Sequence, residues 1–322
     1  MYIVENERES GIMFELFFKK SKICGHTIDK LYYEYNQWTA VDVEHQWYVR
    51  FLRHNFPENK KRVNFFGPLG NPFFIRNKFE GPKVFITPED VEHKFTKLNL
   101  YFGDYCLDYV DLALGFGVHK EDKYLRFPYW ITTTFEPEMN EDDIVKRIRE
   151  INTCVYKKTG DCVLVNGHDK KGTREAIYNG VRDILDVKLA GKWKNNTTDL
   201  WNIFNNDKKA YLRTFKFNIC AENDNTENYV TEKLFDAFIT GCIPLYYGSN
   251  NNPEPGLVNR DAVIFWNKNA DNTTNRELIR RLKTSENYYN EFIMQPKLLP
   301  YAEEYVVDRF AILKEKFAEL LA

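Results

Sequence analysis

The chain is poor in the features that mark several large functional classes. None of its apolar runs approaches the ~20 residues needed to cross a bilayer. Its 45 basic and 47 acidic residues leave a net charge of −2, so no global field attracts nucleic acid or an anionic membrane. That balance still permits a local basic pocket. The six cysteines (Cys24, Cys106, Cys154, Cys162, Cys220, Cys242) form no CxxC pair and no zinc spacing. A reduced compartment is the simpler reading. The six histidines show no HExxH motif or paired spacing, so none is a candidate metal ligand. There is no internal repeat and no low-complexity tract. The opening MYIVENERES is not a signal peptide. The expectation is a soluble, cytoplasmic protein, or a chain trimmed of a membrane anchor.

Aromatics are plentiful, with 25 Phe and 20 Tyr. They suit large cores and stacking surfaces for sugars or bases, without separating the two. A length of 322 residues exceeds what one core comfortably supports, so two domains are expected. The boundary is placed near 150, giving 1–150 and 151–322, with 1–28 an extension of no assigned role. In the first half, strands are expected at Ile12–Phe18, Leu31–Tyr35, Val63–Phe66, Lys83–Thr87, Leu98–Phe102 and Val110–Phe116. Val43, Trp47, Phe51 and Leu52 keep helical spacing, and Gly67-Pro68-Leu69-Gly70 is a turn by composition. Ile144, Ile148 and Ile151 mark a helix whose Glu141, Asp142 and Asp143 suit its positive end. In the second half, Cys162–Val165 is a strand, and Thr173 is placed to cap a helix carrying Ile177, Val181, Ile184 and Leu185. Short helices follow at Leu200–Phe204 and Tyr211–Leu212. Ala262–Trp266 is a strand, and Leu278, Ile279 and Leu282 mark a helix. Tyr305, Val306, Phe310, Leu313, Phe317 and Leu320 form a terminal amphipathic helix. Alternating strands and helices argue an α/β protein.

The clearest stretch is Phe215–Ser249. An apolar run, Phe215–Cys220, leads into a polar loop with Glu222, Asn223, Asp224, Asn225, Glu227 and Asn228. Thr231 is placed to cap a helix with Leu234, Phe235, Phe238 and Ile239 on one face. Gly241 suits the helix stop, and a second apolar run, Cys242–Tyr247, ends at Gly248. This is a strand–loop–helix–strand unit of parallel crossover type. Its loop lies at a strand's carboxyl end, where open parallel sheets bind ligands, and its helix begins with free N–H groups that suit a phosphate. Lys233 in the first turn opposes the helix dipole, a local conflict of the kind found at sites. The bland alternative is a solvated surface lysine.

Lys216-Phe217, Glu222-Asn223, Tyr229-Val230-Thr231-Glu232-Lys233, Ile243-Pro244 and Gly248 closely resemble, in order, the donor-binding signature of glycosyltransferase family 10, the α-1,3-fucosyltransferases. The resemblance extends to Gly67–Gly70, to Thr87-Pro88-Glu89-Asp90, to Leu114-Gly115-Phe116 with Tyr124–Pro128, to Gly172-Thr173-Arg174-Glu175, and to Ala262–Trp266. It covers about residues 30 to 300.

The resemblance implies two Rossmann-like α/β domains facing across a cleft, the GT-B architecture, with the acceptor on the first and the nucleotide sugar on the second. It implies an inverting enzyme that moves fucose from GDP-fucose to a hydroxyl of an oligosaccharide or glycoconjugate acceptor, with α-1,3-type linkage. By the match, Glu89 is the catalytic base, although Pro88 stands where bacterial members have glycine. Arg174 and Lys233 are the diphosphate ligands, Glu232 a partner of sugar hydroxyls, and Asn223 and Tyr229 lining of the nucleoside pocket. Lys216, Glu222 and Thr231 are candidates for donor contact or for loop structure. No cofactor and no obligatory metal are expected, and no nucleic-acid partner. Two other readings are the same fold with another nucleotide sugar, and an inactive sugar- or nucleotide-binding protein. The sequons at Asn195, Asn196 and Asn272 are read as chance in an Asn-rich chain.

Overall fold

The computed structural model describes residues 45–68, 74–92 and 103–322, and the backbone of 23–28 and 31–36. Expected strands at Ile12–Phe18 and Leu98–Phe102, Leu69 and Gly70 of the expected turn, and most of the N-terminal extension lie outside the described residues. The chain forms two compact units. The first takes the described residues up to Gly115, then His119–Phe127 and Ile312–Ala322. The second takes Phe116–Val118 and Pro128–Ala311.

The first unit holds a sheet of six described strands: β1 (Ile23–Ile28), β2 (Leu31–Asn36), β3 (Val63–Phe66), β4 (Lys83–Ile86), β5 (Leu112–Gly115) and β6 (Tyr124–Arg126). They lie side by side in chain order. The β1–β2 pair is antiparallel and every later pair is parallel. The middle strands are almost continuously apolar because a parallel sheet is covered on both faces; Val63, Phe65, Val84, Phe85 and Ala113 are fully buried. Helix α1 (Trp47–Asn55) buries Phe51 and Leu52, and Trp47 stacks on Phe51 at 5.3 Å.

The second unit begins with α2 (Tyr129–Thr134) and α3 (Glu141–Thr153). Helix α3, at the junction expected from sequence, therefore lies inside this unit. It starts with a full capping box, Asn140 accepting from the Asp143 amide and Asp143 from the Asn140 amide. Its Ile144, Ile148 and Ile151 are buried as their spacing requires. The sheet contains β7 (Gly160–Leu164), β8 (Val187–Leu189), β9 (Phe215–Ala221), β10 (Ile243–Tyr247) and β11 (Ile264–Phe265). The order across the sheet is β11-β10-β9-β7-β8, with every pairing parallel. Counted within the unit, that is order 2-1-3-4-5, a doubly wound sheet whose direction of winding reverses between β7 and β9.

Its helices are α4 (Thr173–Val181), α5 (Asp199–Asn202), α6 (Lys208–Leu212), α7 (Glu232–Ile239), α8 (Thr273–Thr284), α9 (Glu286–Ile293) and the first half of α10 (Tyr301–Leu321), whose residues from Ile312 on belong to the first unit. Ile177, Val181, Ile279, Leu282, Tyr289 and Trp266 share a core with Leu164, Phe217, Ile219 and Leu245 of the strands. Helix α7 is buried from Leu234 through Ile239, not on one face alone. Trp130 of α2 lies flat on its Phe235, ring centroids 4.1 Å apart. The polar exception on that helix, Asp236, is matched by Lys208 at 2.8 Å, because a buried carboxylate needs a partner.

Several elements differ from expectation. Helix α4 is capped by Gly172 at φ 67, and Thr173 is its first residue; the left-handed turn needed there favours glycine. Ile184 and Leu185 lie past its end but are buried. The three-residue strand β8 is too short to show a period. Arg260–Ala262 turns as a 3-10 helix, so β11 begins at Ile264. Helix α9 begins where Ser285 accepts from the Tyr288 amide.

Candidate donor-binding site

Doubly wound sheets bind ligands outside the strands' carboxyl ends, where the winding reverses. Here that position receives the segment after β7, which leads into α4, and the loop after β9, which leads into α7. Arg174, on the first turn of α4, ties these two segments together. One guanidinium nitrogen donates to the His168 carbonyl at 3.1 Å. The other donates to the Ala221 carbonyl and to Asn223 Oδ1, both at 2.9 Å. Arg174 is only 3% exposed. Burial lowers its pKa, while Asp169, Glu222 and Glu232 oppose that shift. Asn223 has its Oδ1 committed to this contact, and its amide N–H groups make no hydrogen bond among the described residues.

Glu222 closes the other side of the loop. Its amide donates to the Tyr247 carbonyl, extending the β9–β10 pairing by one residue. Its carboxylate accepts from the Thr231 amide at 2.8 Å and the Thr231 hydroxyl at 2.6 Å. Thr231 thus occupies the N-cap position of α7 but does not cap with its own side chain. Its hydroxyl serves Glu222, which takes the amide of the cap residue from outside the helix. The pair Glu222–Thr231 therefore has a structural part.

Lys233 resolves its conflict with the helix dipole through carboxylates. Its Nζ donates to Thr231 Oγ1 at 2.8 Å and pairs with Glu222 at 3.3 Å and Glu232 at 3.4 Å. Burial alone would lower its pKa, but Glu222 and Glu232 raise it above the usual lysine value. Glu232 moves the opposite way: burial raises its pKa, yet Lys233 and Lys208 bring it down to about 2. The site thus brings together two cations, Arg174 and Lys233, and the ionised carboxylate of Glu232. Each cation supplies N–H donors of the type that binds diphosphate oxygens.

Tyr229 is buried, with its ring edge-on to Phe116 at 5.1 Å. Lys216 lies apart from this group. It stands near the start of β9, and its ammonium sits over the Tyr289 ring at 4.8 Å; five steps along the strand, about 16 Å, separate it from Ala221. Glu89, in the first unit, follows the carboxyl end of β4. The Thr87 hydroxyl accepts from its amide at 3.1 Å and donates to its carbonyl at 2.9 Å. The glutamate backbone is therefore fixed by a local side-chain turn.

Other contributors are not apparent from the sequence. Asp169 accepts from the Glu175 amide at 2.8 Å and so satisfies the start of α4. Lys171 pairs with Asp224 of the loop. Asn225 exchanges hydrogen bonds with Asn250, at 2.8 and 3.1 Å. The last two contacts join residues 53 and 25 positions apart, and no local period announces them. The nearest signal is the density of Asn and Asp in both loops. Among the described residues no three His, Cys, Asp or Glu side chains gather as a metal site, and no helix is long and apolar enough to cross a membrane.

Comparison with known proteins agrees with this geometry. Residues 155–307 match the family model "Glycosyltransferase family 10 (fucosyltransferase) C-term". The α-(1,3)-fucosyltransferase FucT of Helicobacter pylori is 26% identical over 272 residues, covering 76% of this chain and 53% of that protein. An α-(1,4)-fucosyltransferase of Arabidopsis thaliana is 33% identical over 135 residues, covering 37% of this chain and 33% of that protein. The chain thus spans about half the length of the Helicobacter relative and less of the Arabidopsis one. A crystal structure of an α1,3-fucosyltransferase matches with a TM-score of 0.53 at 21% identity, covering 79% of this chain and 78% of that one. Another, titled as holding GDP-fucose, matches at 0.51 and 22%, covering 76% and 80%. The fold they share is GT-B, with two Rossmann-like α/β domains, and the stretch that carries Arg174, Glu222 and Lys233 is similar in sequence to the C-terminal domain of glycosyltransferase family 10, the fucosyltransferases.

Proposed function

We propose that this chain is an inverting fucosyltransferase that takes GDP-fucose on its second unit and passes fucose to a hydroxyl of an acceptor glycan, with α-1,3-type linkage and no obligatory metal. One observation carries the reading. Two cations from different helices, Arg174 and Lys233, belong to the same loop at the reversal point of the sheet. The related crystal structures titled with GDP-fucose and with GDP support the choice of nucleotide.

The chemistry follows from the charges. The bond from the anomeric carbon to the diphosphate breaks, and GDP leaves with added negative charge. Arg174, Lys233 and the first amides of α7 offset that charge without a divalent ion. Lys233 meets the diphosphate already oriented by Thr231, Glu222 and Glu232. Glu232, ionised throughout the neutral range, accepts from ribose or fucose hydroxyls. The free amide of Asn223 donates to the nucleoside, and Tyr229 helps to line its pocket. Glu89 removes the proton of the acceptor hydroxyl as that oxygen attacks the face opposite GDP.

Mass spectrometry of a panel of oligosaccharides incubated with the protein and GDP-fucose tests this reading. An added deoxyhexose is expected. Transfer from a UDP- or CMP-sugar with none from GDP-fucose would give the fold another donor. Nucleotide binding without any transfer would make the chain a binding protein.

A further inference from the structure

The donor loop is fastened at its far end by a segment that the proposed chemistry does not use. After β10 the chain enters Gly248 and then three successive non-glycine residues with positive φ: Ser249 at 46°, Asn250 at 51° and Asn251 at 52°. Asparagine enters this region as a single residue, but a run of three that begins with Ser249 persists only when the surroundings hold it. The holding contacts are visible. Asn251 donates to the Trp266 carbonyl at 2.9 Å, and Arg260 donates to the Asn251 carbonyl at 2.8 Å while lying over the Phe265 ring.

The turn in turn grips the donor loop at three places. Gly248 lies so close to Glu222 that a Cβ there would meet its Cγ at 2.6 Å and its Cβ at 2.8 Å. Ser249 Oγ accepts from the Asn228 amide at 3.1 Å. Asn225 Oδ1 accepts from the Asn250 amide at 2.8 Å, and Asn225 Nδ2 donates to Asn250 Oδ1 at 3.1 Å. Between these fastenings and Arg174 lies Asn223, whose amide is open.

We propose that the left-handed turn Ser249–Asn251 is the holder of the donor loop, and that Asn225 and Asn250 are positioning residues for nucleotide binding. The inference rests on the donor-site reading above. Neither residue is placed against the nucleotide. Their reciprocal pair sets the height of the loop over α7, so that the nucleotide finds Asn223 and Arg174 already arranged and spends no affinity on ordering them. Both side chains are exposed, so their loss leaves the core intact.

The test is calorimetric titration of GDP into the wild type, Asn225→Ala, Asn250→Gly and Asn250→Asp, with steady-state kinetics beside it. Asn225→Ala removes both hydrogen bonds and is expected to weaken GDP binding about tenfold. The donor KM should rise with it, while kcat, the acceptor KM and the Tm without nucleotide stay near wild type. Asn250→Gly accepts the left-handed backbone and keeps its amide for Asn225, so about a threefold loss is expected. Asn250→Asp keeps the acceptor for Asn225 Nδ2 and tolerates positive φ, so it should bind like wild type. Wild-type GDP affinity in Asn225→Ala overturns the inference and leaves the donor reading standing. A fall in kcat and Tm together with affinity in all three variants also overturns it, because that is loss of fold. A wild type that ignores GDP overturns the donor reading, and this inference with it.

Discussion

The two sheets reach their candidate residues by different means. In the first unit the described strands follow one another across the sheet in chain order, so nowhere among them does the winding reverse. Glu89 leaves that sheet from the end of β4 on a local turn made with Thr87. In the second unit the winding reverses between β7 and β9, and the two segments that part there are bridged by Arg174. Glu222, Thr231 and Lys233 then lock the same loop to the start of α7. A sheet that reverses creates a crevice by topology alone. A sheet that does not must place a reactive side chain by local chemistry. The candidate donor end is therefore assembled by the fold, whereas the backbone of Glu89 is set by its turn with Thr87.

The sharpest break in this comparison is Glu89→Gln. It should lower transfer about 10²- to 10⁴-fold, the usual worth of a general base, with GDP affinity unchanged by calorimetry. Unimpaired transfer would remove the first sheet from the chemistry. Next is Glu222→Gln, which strips the buried charge that faces Lys233 and Thr231. A loss of about 3 kcal/mol in urea unfolding is expected; a loss below about 0.5 kcal/mol, as for an ordinary surface substitution, would mean the loop is not locked there. Arg174→Lys should cost GDP affinity about a hundredfold, because a point charge cannot reach His168, Ala221 and Asn223 together. Affinity within twofold of wild type would show that charge, not the fork, is what matters. The smallest effect is on acid stability. The Glu232 carboxyl is held at about 2, below its ordinary 4.5, so its contribution is present above pH 4.5 and is lost as pH falls towards 2. Between pH 5 and 3 the urea midpoint of the wild type should fall more steeply than that of Glu232→Gln. Parallel slopes would mean that Lys233 and Lys208 do not hold this charge.

Much of the second unit is legible in the sequence because its signals are local. The spacing of Leu234, Phe235, Phe238 and Ile239, with Gly241 at φ 62 behind them, marks α7 and its end. The apolar runs around it mark β9 and β10, and the oddly placed Lys233 points to the site. What is not legible depends on contacts made across the fold. Thr231 is read as a cap, yet its hydroxyl belongs to Glu222. Lys216 shares the signature with Lys233, but period 2 along a strand and four intervening residues before Ala221 set it over Tyr289. The Asn225–Asn250 pair joins two Asn-rich loops that look like ordinary turns in isolation. Strand β8 is missed because three residues carry no period, and Asn196, read as part of a chance sequon, proves to clamp it by accepting from the Leu189 amide and donating to the Val187 carbonyl.

The central claim is that the reversal point of the second sheet is built for a guanine nucleotide diphosphate before any ligand arrives. Calorimetric titration of the wild type with GDP, UDP and CMP measures this directly. Single-site binding of GDP, at least tenfold tighter than UDP or CMP and abolished in Lys233→Met, is the predicted result. Equal or tighter binding of UDP, or GDP binding unchanged in Lys233→Met, would contradict it.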